Sequence, residues 1–142
     1  MTEAICRRAD WIIERDALMS VRRRVFVEEQ QVPEELEWDE YDDSATHFVV
    51  IEHDDIIATG RLKPDGQIGR MAVLPEYRGR GVGALLLQTM IEHARRHDVE
   101  RLYLHAQLQA IGFYEHYGFV AQGEDFLDAG ILHRAMTREC AT

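Results

Sequence analysis

Apolar residues occur along the chain in short runs and at helical spacing, and together these patterns predict an order of strands and helices. Three runs, at residues 47–52, 56–62 and 67–74, are separated by short turns rich in Asp, Pro and Gly. Short turns of this kind are typical of an antiparallel meander. From Val82 onward the spacing becomes helical, which predicts an amphipathic helix. The next strand, at 101–106, follows that helix and is therefore expected to run parallel to the strand before it.

The two ends of the chain carry weaker patterns. A strand is predicted at residues 3–8, and Asp16 is predicted to cap the helix that follows it. The three arginines at 22–24 are expected to lie mostly on the solvated face of this helix, which should end near Gln31. A short helix is predicted at 110–117. The last two predicted strands cover residues 119–126 and 131–138.

Length and composition fit one domain. The 142 residues, 46% apolar and 30% charged, suffice for a single α+β domain spanning residues 1–142. A net charge of −10 argues against nucleic acid as a partner. No apolar run approaches the roughly 18 residues of a membrane span, and the N-terminus lacks a signal peptide. We therefore expect no membrane partner and a cytoplasmic location, where Cys6 and Cys140 would be reduced thiols.

Residues 28–43 form an acidic segment that contains no basic residue and includes Trp38 and Tyr41. The segment can be a solvated surface loop. It can also be one wall of a cleft whose acidic groups attract a cationic substrate and whose aromatic rings hold it. The sequence leaves both interpretations open.

A glycine-rich turn precedes the amphipathic helix. Gly79, Gly81 and Gly83 stand beside Arg78 and Arg80. Glycines let a ligand approach the backbone, and a helix N-terminus favours an anion there. The pattern therefore predicts a pyrophosphate site.

Two common pyrophosphate motifs do not fit this turn. The glycine spacing matches the dinucleotide fingerprint, but in a Rossmann unit the glycines follow the strand directly, whereas Pro75 to Arg78 intervene here. A Walker-type phosphate loop is excluded because no Gly-Lys-Ser or Gly-Lys-Thr follows.

Two segments of the chain resemble the signatures of a known superfamily. Residues 71–83, with Arg78, Gly81 and Gly83 in the pattern Arg-x-x-Gly-x-Gly, resemble motif A of the GCN5-related N-acetyltransferases, the GNAT superfamily. Residues 113–119 resemble its Phe-Tyr-x-x-x-Gly-Phe segment. Further blocks resemble the ElaA-like branch, although Ala129 and Leu132 depart from its pattern. These blocks are residues 25–30, 68–71, 105–107 and 130–133.

The resemblance implies a fold and a co-substrate. The fold is a mixed, mostly antiparallel sheet of six to seven strands with flanking helices, splayed between the fourth and fifth strands by a bulge. The co-substrate is acetyl-CoA, whose pyrophosphate would bind the backbone of the turn while its pantetheine arm pairs with the strand before it. No metal is implied, and His93 and His97 lack a third ligand. The residues expected to contact the co-substrate are Met71, Ala72, Val73, Arg78, Gly79, Arg80, Gly81, Val82, Gly83, Ala84 and Gln107.

The resemblance also implies catalytic roles for individual residues. Tyr114 corresponds to the general acid that protonates the leaving thiolate. The backbone N–H of Val73 would stabilise the oxyanion. The resemblance does not identify the general base. The candidates are Glu29, Asp128, His133 and a water relay.

The predicted function is an N-acetyltransferase that moves an acetyl group from acetyl-CoA to an amine by direct attack. The acceptor would be a small cationic amine or a peptide or protein amine. The alternative is a non-catalytic acyl-CoA-binding sensor with the same fold. The resemblance further implies a homodimer as the assembly to test.

Overall fold

The computed structural model describes residues 3–140, in which two antiparallel sheets contain all the named strands. In the first sheet the strands lie side by side in chain order. They are β1 (Ile5–Ala9), β2 (Thr46–Glu52), β3 (Asp55–Leu62) and β4 (Ile68–Val73). In the second sheet the last strand lies between the other two. These are β5 (Arg101–Gln107), β6 (Val120–Asp128) and β7 (Ile131–Glu139), in the order β5-β7-β6.

Four α-helices accompany the sheets within the described residues. They are α1 (Trp11–Arg22), α2 (Glu34–Glu37), α3 (Val82–Arg96) and α4 (Ile111–His116). A π-helical segment, Arg23–Glu29, continues α1. The prediction that Asp16 caps the first helix is wrong. Asp10 is the cap, and its carboxylate accepts hydrogen bonds from the N–H groups of Ile12 and Ile13 at 3.0 and 3.1 Å.

The two sheets are joined at one end and separated at the other. A parallel bridge links Gln67 to Tyr103, and the Tyr103 N–H donates to the Gly66 carbonyl at 3.1 Å. Beyond this bridge β4 has an irregularity in its pairing with β3. Two residues of β4, Arg70 and Met71, lie opposite a single residue of β3. A bulge of this kind bends a strand and ends its pairing. The predicted mixed α+β sheet, splayed between the fourth and fifth strands, is confirmed.

Helix α3 covers both sheets and thereby holds them together. Its residues Leu86 and Met90 are fully buried. They belong to a core that includes Phe48 from β2, Leu102 from β5 and Met136 from β7. The helix follows the glycine turn directly, so the core fixes the position of that turn relative to both sheets.

A buried ion-pair network fastens α1 to the acidic segment. Arg22 is 1% exposed, and its guanidinium bonds Glu37 at 2.7 Å and Asp42 at 2.8 Å. The expectation that Arg22 faces outward is therefore wrong. Its neighbours do lie at the surface, where Arg23 pairs with Glu34 and Arg24 pairs with Glu76.

Within residues 3–140, no helix combines the length and apolar character that crossing a membrane requires.

Candidate functional site

The glycine turn connects β4 to α3 and has the geometry of an anion-binding cradle. Gly79 and Gly81 adopt positive φ angles of 78° and 79°, and no atom lies within 4 Å of the position where a Cβ would stand on either residue. The N–H of Leu85 donates to the Gly81 carbonyl at 3.0 Å. The N–H groups at the start of a helix have no acceptor in the preceding turn. This open turn therefore suits the pyrophosphate of a CoA thioester, with Val82, Gly83 and Ala84 in the first turn of the helix.

The two arginines of the turn are engaged with protein groups. Arg78 forms a two-pronged ion pair with Glu29 at 2.6 and 2.7 Å, and its Nε donates to the Val73 carbonyl at 3.0 Å. Arg80 lies over the ring of Tyr77. A role for either side chain in binding the co-substrate stays a prediction.

The end of β4 presents backbone groups to the gap between the sheets. The Leu74 N–H donates to the Ile57 carbonyl of β3 at 3.0 Å. Successive N–H groups of a strand point to opposite sides, so the Val73 N–H points away from β3 and toward the gap. By the same alternation the main chain of Ala72, which pairs with Thr59, faces β3. Val73 is thus placed for an oxyanion contact, whereas the backbone of Ala72 is not directed into the gap.

A cavity of about 370 Å³ opens beside this gap. The hydroxyl of Tyr114, on α4, lies 3.5 Å from the sulfur of Met71 on β4. Burial raises the pKa of Tyr114 to about 12. The phenol is therefore protonated at neutral pH and available as a proton donor. Other residues that line the cavity include Gln30, Arg70, His105, Gln107, Asp128 and His133.

His133, on β7, lies at the cavity wall with 9% of its surface exposed. Its Nδ1 is 2.7 Å from the Ile131 carbonyl. A carbonyl only accepts hydrogen bonds, so Nδ1 carries the proton and Nε2 of the neutral ring carries a free lone pair. Phe126 stacks on the ring at 6.0 Å. This arrangement gives His133 a defined tautomer with a basic nitrogen.

The other residues predicted at the site have different surroundings. Glu29 is not among the residues that line the cavity. The hydrogen bonds from Arg78 lower its pKa, which makes Glu29 a weak base. Gln107 does line the cavity, where its amide donates to Gln30 at 2.9 Å. The structure therefore brings His133, Asp128, Gln107 and Tyr114 together at the cavity and leaves Glu29 outside it.

The carboxylates of the acidic segment are largely paired with arginines of the same protein. Glu37 bonds Arg22 and Arg70, and Asp42 bonds Arg22 and Arg61. These charges are therefore balanced internally. The interpretation of the segment as an attractive wall for a cation loses its main support, although Glu37 does line the cavity.

His105 and Arg70 are cavity residues to which sequence reasoning gave no role. His105 lies edge-on to Phe126 at 5.1 Å, on the strand that pairs with β7. Burial lowers its pKa, which the nearby charge of Asp128 partly offsets. The alternation of β5 places His105 and Gln107 on one face, and this was the available signal for His105. Among the described residues, no group of three or more His, Cys, Asp or Glu side chains is arranged to hold a metal ion.

Comparison with known proteins agrees with the fold. Residues 13–140 match the model of the acetyltransferase (GNAT) domain family. The chain is 36% identical over 123 residues to the uncharacterized N-acetyltransferase YjcF of Bacillus subtilis, covering 84% of this chain and 88% of that protein. It is 33% identical over 131 residues to the protein ElaA of Escherichia coli, covering 87% and 86%.

Solved structures give the same result. The crystal structure of an acyl-CoA N-acyltransferase from Pseudomonas aeruginosa superimposes with a TM-score of 0.85 and 30% identity, covering 97% of this chain and 99% of that one. Escherichia coli ElaA superimposes with a TM-score of 0.84 and 28% identity, covering 96% and 99%. The chain therefore belongs to the GNAT acetyltransferase family. Within that family it belongs to the ElaA-like branch.

Proposed function

We propose that the protein is an N-acetyltransferase that transfers an acetyl group from acetyl-CoA to an amine by direct attack. His133 accepts a proton from the acceptor's ammonium at Nε2, and the neutral amine that results attacks the thioester carbonyl. The Val73 N–H stabilises the negative charge that develops on the carbonyl oxygen as the C–N bond forms. Tyr114 donates its proton to the thiolate as the C–S bond breaks. The family supports acyl transfer in general, and the residues and the amine acceptor are part of the proposal.

One observation carries this proposal: the protonated phenol of Tyr114 lies at the gap beside β4, 3.5 Å from the Met71 side chain. A phenol whose pKa is about 12 remains a proton donor throughout the physiological range. A departing thiolate that gains a proton is a much better leaving group, and general acid catalysis contributes roughly 10²- to 10⁴-fold. The predicted acid therefore has suitable surroundings for its role.

His133 is preferred to Glu29 as the base because of hydrogen bonding. The Ile131 carbonyl holds the His133 proton on Nδ1, which leaves Nε2 as the basic nitrogen of a residue that lines the cavity. Glu29 instead accepts two hydrogen bonds from Arg78, which stabilise its ionised form. Abstraction of a proton by Glu29 would first require this ion pair to break.

The experiment measures CoA release from acetyl-CoA with a panel of amines. Tyr114→Phe should lower kcat by about 10²-fold with little change in KM for acetyl-CoA, because only the transition state uses the hydroxyl. His133→Gln should lower kcat strongly, whereas Glu29→Gln should affect mainly binding through the loss of its pair with Arg78. Full activity of both Tyr114→Phe and His133→Gln would refute the mechanism.

A second function, an acyl-CoA-binding sensor, keeps the donor site and lacks catalysis. One observation favours it: Gln67, near the start of β4, has an amide side chain that accepts a hydrogen bond from Lys63, and an amide is not a base. The two functions differ in one measurement. A sensor retains CoA and turns over no amine in the panel, whereas the transferase retains CoA and releases thiol only when an acceptor is present.

A further inference from the structure

Arg70 has an unusual backbone conformation for an arginine in a strand. It lies in the β4 bulge, and its φ angle is 49°, in the left-handed region that favours glycine. A residue other than glycine in this region is strained, and such positions are concentrated at functional sites. A bulge also redirects the side chain it carries. Here the redirected side chain is one of those that line the cavity.

The Arg70 guanidinium is held on one edge by the acidic segment. Its Nε donates to the Glu37 carbonyl at 3.2 Å and lies 3.2 Å from the Glu37 carboxylate. Its Nη2 donates to Asp39 at 3.0 Å and is 3.4 Å from the Leu36 carbonyl. These contacts leave three-quarters of the side chain buried and its orientation defined.

The third nitrogen of Arg70 is available to a ligand. Within residues 3–140, Nη1 has no hydrogen-bond partner. Nη1 is also not one of the fully buried atoms without a partner, so its lack of a partner does not come from complete burial. Nη1 is therefore not sealed off from solvent, and Arg70 is one of the residues that line the cavity. A fixed guanidinium edge is a preorganised donor for a carboxylate, because the remaining contacts already determine its orientation.

The distribution of charge in the cavity fits an acceptor with two opposite charges. Glu37 is bonded to Arg22 and Arg70, whereas Arg70 uses only Nε and Nη2 in its bonds to the acidic segment. The carboxylate of Asp128 lies instead near His105, on the side of the cavity formed by the second sheet. An amine near Asp128 and His133 would place an anionic group of the same molecule toward the first sheet.

We propose that the acceptor is an amine that carries a carboxylate, and that Arg70 binds this carboxylate through Nη1 as a specificity-determining residue. This inference rests on the proposed function, because it describes the acceptor of the same site. It narrows the expectation, which was a small cationic amine or a peptide or protein amine.

The first experiment uses the unmodified protein, so it does not depend on whether a variant folds. Matched acceptors are compared: 4-aminobutyrate and 6-aminohexanoate, each with the corresponding carboxamide, beside spermidine and agmatine. Carboxylates should be preferred by roughly tenfold or more in kcat/KM, the range of a charge-assisted hydrogen bond. Equal or better use of the carboxamides or polyamines would overturn the inference.

The second experiment changes the arginine. Arg70→Gln should reduce the preference for the carboxylate over its carboxamide to about one, mainly through KM. Arg96→Gln, an equal change of charge on the exposed end of α3, should leave the preference unchanged. An unaltered preference in folded Arg70→Gln would overturn the inference, and the wild-type comparison decides the matter if that variant does not fold.

Binding separates this inference from the proposed function. CoA-loaded protein is titrated calorimetrically with each carboxylate and its carboxamide. If no amine is turned over but the carboxylates still bind more tightly, the transferase function fails and the Arg70 site stands. If amines are turned over without preference for a carboxylate, the function stands and the inference fails. Absence of both preference and tighter binding also overturns it.

Discussion

Replacing Arg22 by methionine should destabilise the protein severely, although two more arginines follow it in the sequence. The side chain is 1% exposed. It donates to the Glu37 carboxylate at 2.7 Å, to the Glu37 carbonyl at 2.8 Å and to Asp42 at 2.8 and 3.3 Å. Methionine can fill much of the space but satisfies none of these acceptors.

The size of the effect depends on what remains bonded. Breaking a buried ion pair by removing one partner costs about 3–5 kcal/mol, because the other charge stays buried. Here Asp42 keeps Arg61 at 2.9 Å and Glu37 keeps Arg70 at 3.2 Å. We therefore expect the lower end, about 3 kcal/mol, which corresponds to a fall of roughly 10 °C in Tm for a chain of this size.

The assay is urea and thermal unfolding followed by circular dichroism, with Arg23→Met as the matched control. Arg23 pairs with Glu34 at the surface, and exposed pairs of this kind often contribute nothing measurable. The reasoning is refuted if Arg22→Met is no less stable than Arg23→Met, or if its free energy of unfolding lies within about 1 kcal/mol of wild type.

The pH dependence of the free energy of unfolding is a second test of the same ion-pair network. Burial raises the pKa of Asp42, but hydrogen bonds from Arg22 and Arg61 outweigh it and leave the pKa lowered. A lowered pKa means that the ion pairs stabilise the fold above the unfolded pKa and are lost as the pH falls through the folded one. The difference between wild type and Arg22→Met should therefore shrink in acid.

Three further predictions concern the turn, the tyrosines and the first helix. Gly81→Ala should cost about 1–2 kcal/mol and weaken CoA retention because φ is 79° there, whereas Gly112→Ala, with no atom near the new Cβ, should do neither. In an ultraviolet titration, Tyr114→Phe should remove one phenolate from the part of the curve near pH 12, where Tyr103 also titrates. Asp10→Ala should lower the free energy of unfolding by about 1 kcal/mol, and an unchanged urea midpoint would contradict its capping role.

Local patterns in the sequence predict the order of the strands and the glycine turn, because both depend on residues that are neighbours in sequence. Glycines followed by apolar residues at helical spacing specify the turn before α3 with no knowledge of the rest of the chain. The parallel relation of β4 and β5 followed in the same way, since a helix connects them.

Contacts between distant residues explain what could not be predicted. Arg22, Arg23 and Arg24 are chemically identical, and only the position of Glu37 and Asp42 determines which one is buried. Likewise, the sequence offers Glu29 as a candidate base, whereas its pairing with Arg78, 49 residues away, depends on the fold. The direction of the Arg70 side chain depends on a bulge that the neighbouring residue types do not predict.

The single bridge between Gln67 and Tyr103 also has a consequence for how the protein can diverge. The glycine turn follows the first sheet, whereas Asp128 and His133 belong to the hairpin that β6 and β7 form in the second sheet. Substitutions that share no neighbours usually have additive effects on stability. If the proposed mechanism holds, the hairpin can therefore exchange its side chains and alter its part of the acceptor site while the glycine turn keeps its contacts with CoA.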